Sequence, residues 1–190
     1  MQTIQTANQL GGRAIGAIFF TCFGTGWLFL ALIAKQQIKF ATVTAIMVGM
    51  TLLLLAALNL LRLSKRWPRV PDDPAVGRAF GWINAAQWIA VAAVAFTLSK
   101  LRLDVYIPSA ITAIVGLHMF PLGRIFRYPA HYRAGAILLA WAVASVVFVP
   151  VDDLQSIAAL GTGMILWLSA VVTLALAFRA ARRSTEPLAC

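Results

Sequence analysis

Apolar positions in this chain come in long, nearly unbroken runs, without the alternation of a half-buried strand or the three-to-four spacing of a surface helix. Six stretches of 18 or more residues contain no Asp, Glu, Lys or Arg: Ala14–Ala34, Phe40–Leu61, Ala79–Ser99, Val105–Gly123, Ala134–Val151 and Leu154–Phe178. A helix of about 20 residues crosses a hydrocarbon layer about 30 Å thick, so each run is long enough to span. No water is available there to satisfy the backbone, and a helix pairs its own polar groups. The pattern predicts an all-α integral membrane protein with six transmembrane helices, residues 1–190 forming a single six-helix membrane domain.

The polar breaks between the runs are short. The longest connection, Arg62 to Arg78, carries Pro68, Pro71 and Pro74, which prevent one continuous helix. Trp67 there reads as an interfacial anchor, and Asp72 and Asp73 as solvated loop carboxylates rather than a metal site. Pro108 suits a helix start. Within the runs, Gly12 with Gly16 and Ala45 with Gly49 give small-residue spacing that lets helices approach closely, and the sixth run has Ala159, Gly161 and Gly163 for close packing. The same faces allow a homo-oligomer. The first run is longer than a typical signal core and lacks a clean small-residue cleavage site, so a retained first helix is expected.

Composition agrees with the pattern. Hydrophobic residues make up 61% and charged residues 12%, against roughly 45–50% and about 25% in soluble domains. The net charge of +10 raises the question of nucleic acid, which the placement of the charges answers. Twelve of the 16 basic residues fall in alternate connections and the C-terminal tail, beginning with Arg13. Lys65, Arg66 and Arg69 lie in one of these connections, and Arg124 and Arg127 in another. This asymmetry over short loops puts both termini in the cytoplasm and the chain in a cell inner membrane. The expected partner is anionic lipid, with those five residues as headgroup contacts, and no nucleic acid. Two cysteines, Cys22 and Cys190, fall in a span and a tail, where neither a disulfide nor a metal site is expected.

Three inward-to-outward spans begin alike: Gly12-Arg13-Ala14-Ile15-Gly16, Gly77-Arg78-Ala79-Phe80-Gly81 and, more loosely, Tyr132-Arg133-Ala134-Gly135. The returning spans carry Val48-Gly49-Met50, Val115-Gly116-Leu117 and Thr162-Gly163-Met164. These matches predict three parallel helical hairpins, an internal repeat. Three short hairpins in a chain of this length resemble the HdeD-like group of small bacterial membrane proteins, associated with acid resistance. The phrase Gly-Leu-His-Met-Phe-Pro-Leu-Gly-Arg, residues 116–124, is similar to segments of other small bacterial six-span proteins. The resemblance implies a stress-related role and carries no site residue with it.

The candidate site follows from the fourth run. His118 is the imidazole within the apolar segments, and Pro121 is expected to break the same helix, freeing the carbonyl of Leu117. In the third run, Asn84, Gln87 and Trp88 share one helix face, which should look into the bundle. At 1.5 Å per residue, Asn84 and His118 both lie about 9 Å inside the boundary and Gln87 about 13 Å. One polar layer is therefore expected, able to bind a polar group, relay a proton or simply tie helices three and four together.

Bond-making chemistry finds little material. No carboxylate lies well inside a span, and no nucleophile–base pair or phosphate loop is visible. A haem needs two facing histidines or a His–Met pair. His131 is expected at the surface and Met119 to point away from His118. No catalytic residue, metal or cofactor is assigned. The resulting reading is a small multi-pass membrane protein with a structural, stress-related or lipid- or protein-interaction role. The alternative is a transporter or oligomeric channel for a small neutral or hydrophobic solute, with a polar site around His118.

Overall fold

The computed structural model describes residues 7–68, 71 and 73–183; Arg69, Asp72 and both chain ends lie outside the described residues. It contains six α-helices: α1 Ala7–Ala34, α2 Phe40–Ser64, α3 Pro74–Lys100, α4 Ile107–Ile125, α5 Pro129–Phe148 and α6 Val151–Arg183. A single 3-10 turn, Asp104–Tyr106, precedes α4, and no strand occurs among the described residues. All six helices are long and apolar enough to cross a membrane, which makes this a multi-pass membrane protein.

Helices adjacent in sequence pack together except α2 and α3, and the most extensive contacts join α4 to its neighbour α5 and α1 to the distant α6. Glycine explains both. Gly24 of α1 lies against Gly163 of α6, where a Cβ on Gly163 would sit 2.9 Å from the Gly24 carbonyl oxygen. Gly116 of α4 lies against Gly135 of α5, where a Cβ on Gly135 would sit 2.7 Å from the Gly116 oxygen. Without hydrocarbon-driven association in lipid, close backbone approach is a main source of helix cohesion. The α1–α6 seam also repeats every seven residues. Ala7, Ala14, Thr21 and Leu28 alternate with Leu10, Ala17, Gly24 and Ala31 on α1, and all are buried. Ser156, Gly163, Ala170 and Ala177 do the same on α6. Such a repeat keeps one small-residue stripe facing its partner along the helix length.

Two tryptophans, Trp141 of α5 and Trp167 of α6, fill the notches that glycine leaves. Trp167 covers Gly24 and Gly49, and its indole N–H reaches the Thr21 carbonyl and the Thr25 hydroxyl, each at 3.2 Å. Trp141 covers Gly161 and donates to the Ala158 carbonyl at 3.1 Å. Buried hydroxyls tie α4 to its neighbours, Ser109 to Ser145 at 2.9 Å and Thr112 to Thr162 at 2.7 Å. At the far end Lys35 pairs with Asp153, so that carboxylate, which has no cation beside it in sequence, finds one across the bundle.

Helix ends follow their local chemistry. Asp73 caps α3, accepting from the Ala75 N–H at 2.8 Å, with Pro74 in the first turn. Pro121 requires a correction. α4 continues through it to Ile125 rather than breaking. The proline is exposed near the helix end, so its missing N–H and its ring disturb one turn without stopping the helix.

α3 is the exception to this packing. None of its residues is buried, and its main partner is α4.

Candidate functional site: a chamber between α1, α3 and α4

Because α3 leans on α4 without closing against α1, a chamber of about 1500 Å³ remains between them. Its walls are apolar and largely aromatic: Ile15, Phe19, Phe20 and Phe23 of α1, Phe80 of α3, and Val115, Met119 and Leu122 of α4. Leu166 of α6 lines it as well. Along α3 it runs from Val76 to Trp88 and along α4 from Val115 to Ile125, a depth of about 18 Å at 1.5 Å per residue. No described lining residue on α3 follows Trp88 and none on α4 precedes Val115, so on these two helices the chamber lies in the half of the bundle that holds Arg13 and Arg127.

Two glycines of α1 border this space. A Cβ at Gly12 or Gly16 would meet nothing within 4 Å, and both residues line the chamber. Their small-residue spacing, expected to seat another helix, faces the void instead. Trp27 also lines it.

Asn84, Gln87, Trp88 and His118 all line this one chamber. The His118 imidazole lies beside the backbone of Ile83, where α4 meets α3. The Asn84 and Gln87 side chains have no hydrogen-bond partner among the described residues. Trp88 is partly exposed, and its ring lies 6.2 Å from that of Phe23 across the gap between α3 and α1. Leu117 requires a correction. It is 60% exposed and absent from the lining, because one helical step from His118 turns it about 100° outward. Among the five basic residues expected to meet headgroups, Lys65 and Arg127 line the chamber, whereas Arg66 and Arg124 are exposed elsewhere.

The mouth holds what sequence reasoning misplaced. The α4–α5 turn closes with Tyr128 N–H on the Gly123 carbonyl and Arg127 N–H on that of Arg124, with Arg127 in the left-handed region at φ 48°. This tight reversal folds the first turn of α5 back beneath α1. His131 is therefore no surface residue. It is half-buried among the rings of Phe20, Phe126 and Tyr128, the last 5.1 Å away, and it lines the same chamber as His118 and Met119. Its Nδ1 and the Tyr128 hydroxyl are buried without a hydrogen-bond partner, a costly state that a polar ligand atom would relieve. Arg13 covers the other side of Tyr128, its guanidinium carbon 5.2 Å from the ring centre.

Metal binding finds little here. No cluster of three or more His, Cys, Asp or Glu exists among the described residues. The arrangement suits recognition of a molecule with a long apolar body and a polar end. Comparison with protein-family models, with curated proteins and with solved structures finds no match to this chain.

Proposed function

We propose that this multi-pass membrane protein takes an apolar or amphiphilic molecule from the bilayer and holds it in the chamber, a lipid-interaction role without bond-making chemistry. The observation that supports it is the chamber's form: about 1500 Å³, aromatic walls, and basic side chains gathered at one end, with the amides of Asn84 and Gln87 deeper along α3. Typical small-molecule pockets measure about 300–1,000 Å³, so the volume suits a molecule with a long tail. Entry from the side is natural. α3 has no buried residue, and Phe23–Trp88 is a ring contact bridging it to α1.

In this reading the basic end faces the cytoplasm of an inner membrane, with both termini there, and the helices form three parallel hairpins. The charge asymmetry of the connections supports the orientation. A stress-related role would be exercised through the bound molecule. Gly24, Gly49 and Gly163 serve contacts within the chain, so a homo-oligomer would use the open glycines Gly77 and Gly81 of α3. In a second reading the chamber is the one-sided state of a transporter for a small neutral or hydrophobic solute bound near His118. The loosely held α3 favours that reading as the moving part.

Native mass spectrometry of the detergent-purified protein tests the proposal. The wild type retains an amphiphile, and Gly16→Trp, which fills the open space, lowers retention about tenfold, equivalent to about 1.4 kcal/mol, with thermal unfolding unchanged. Equal retention in the variant rules the chamber out as the binding site.

A further inference from the structure

The chamber has a strongly biased mouth. Arg13, Lys65 and Arg127 line it from α1, the end of α2 and the α4–α5 turn. No carboxylate occurs among its described lining residues, and none pairs with these three cations among the described residues. Asp73, the described carboxylate in the adjoining loop, is occupied in capping α3. Beside the cations stand the two buried polar atoms without partners, the Tyr128 hydroxyl and His131 Nδ1. Cations left unpaired next to unsatisfied hydrogen-bonding groups define a site for an anion with several acceptor oxygens. The aromatic walls that continue inward from that mouth belong to an acyl chain.

We propose that the chamber is a dedicated site for an acidic phospholipid, its phosphate held by Arg13 and Arg127 with Lys65 alongside. The Tyr128 hydroxyl donates to a phosphate oxygen and the His131 imidazole supplies the neighbouring hydrogen bond. The acyl chain lies between Phe20, Phe23 and Phe80 of the walls and Met119 of α4. This inference rests on the chamber holding an amphiphile and adds which headgroup it selects. It differs from general attraction of a basic surface to acidic membrane, because Arg66 and Arg124 carry the same charge at the same end without reaching the chamber.

The test uses the full chain in nanodiscs of equal parts phosphatidylglycerol and phosphatidylcholine, with lipid retained after gentle release counted by native mass spectrometry. Wild type should retain phosphatidylglycerol over phosphatidylcholine by at least about tenfold. Arg13→Gln with Arg127→Gly should bring the ratio close to one. Glycine suits the left-handed backbone at residue 127, so that turn survives the loss of its charge. Tyr128→Phe keeps the ring under Arg13 and should lower the ratio several-fold, while Arg66→Gln with Arg124→Gln should leave it unchanged.

Retained lipid without headgroup preference in the wild type overturns this inference and leaves the amphiphile chamber standing. No retained lipid overturns both. A loss as large in the Arg66 and Arg124 variant assigns the preference to surface charge and overturns the site. Inorganic phosphate that displaces phosphatidylglycerol at millimolar concentration assigns the mouth to a free anion and also overturns it.

Discussion

Two faces of α1 show what glycine does in this protein. On one face Gly24 meets Gly163 of α6, and the two backbones come close enough that no side chain fits between them. On the other, Gly12 and Gly16 meet nothing, and the helix borders a chamber. The same residue type, in the same helix, seals one interface and hollows out the other. What differs is the partner: α6 brings its own glycine and a seven-residue stripe of small residues, whereas α3 brings Phe80, Gln87 and Trp88 and stays back. Small residues permit close approach and do not compel it.

That contrast is open to direct attack. The largest effect is expected where two glycines meet. Gly135→Ala places a Cβ 2.7 Å from the Gly116 carbonyl oxygen, a backbone atom that cannot swing away. It should destabilise by about 3 kcal/mol, the upper end for overpacking, read as earlier loss of helical circular dichroism on SDS titration. Gly12→Ala is the same chemical change on the open face and should stabilise by about 0.5–1 kcal/mol through helix propensity alone. Equal and unfavourable effects at both positions would show that the chamber is closed in the membrane.

Next in size is Trp167→Phe, which removes the N–H shared by Thr21 and Thr25 together with the outer edge of the indole over Gly49. A loss of at least about 1 kcal/mol is expected in the same titration. A neutral result would mean that neither the N–H nor the outer edge of the indole holds α6 to α1 and α2. Smallest is Thr112→Val, which cuts the link from α4 to Thr162 on α6. Bonds of this kind within membranes average about 0.6 kcal/mol. An effect of several kilocalories would mean that this buried pair, rather than the glycine crossings, holds α4 in place.

Six helices were legible because hydrocarbon imposes a single demand, a long run without charge, and every run in the sequence answers it. Within the described residues the helices extend past several of the expected limits, since α1 already begins at Ala7 and α3 at Pro74. Charge-free runs mark the hydrocarbon layer, whereas helices continue into the headgroup region with Arg13 and Arg78 aboard. The seven-residue stripe of α1 was also present in the sequence, at Ala7, Ala14, Thr21 and Leu28, and would have pointed to the α6 seam. Helix-face spacing brought out Asn84, Gln87 and Trp88, because side chains three and four apart share a direction whatever lies opposite.

The mouth was not legible for a different reason. His131 reads as a surface residue, two positions after Pro129 and close to two arginines, and only the reversal at Arg127 turns it inward. A non-glycine residue in the left-handed region gives no sequence signal, because the turn is imposed by packing around it. Pro121 misled in the opposite sense. Its chemistry is plain in the sequence, but a helix held on several sides tolerates a missing hydrogen bond at an exposed position.

Lipid entry into the space between α1 and α3 is open to photo-crosslinking. The protein is reconstituted with phosphatidylglycerol carrying a diazirine near the acyl-chain end, irradiated, and its adducts mapped by mass spectrometry. Phe20 and Met119 are each 7% exposed and line the chamber, so bulk lipid around the bundle cannot reach them. Adducts are expected on Phe20, Val115 and Met119 in the wild type, and their loss in Gly16→Trp. Adducts confined to outward residues such as Leu52, Val147 and Leu168 would contradict lipid entry.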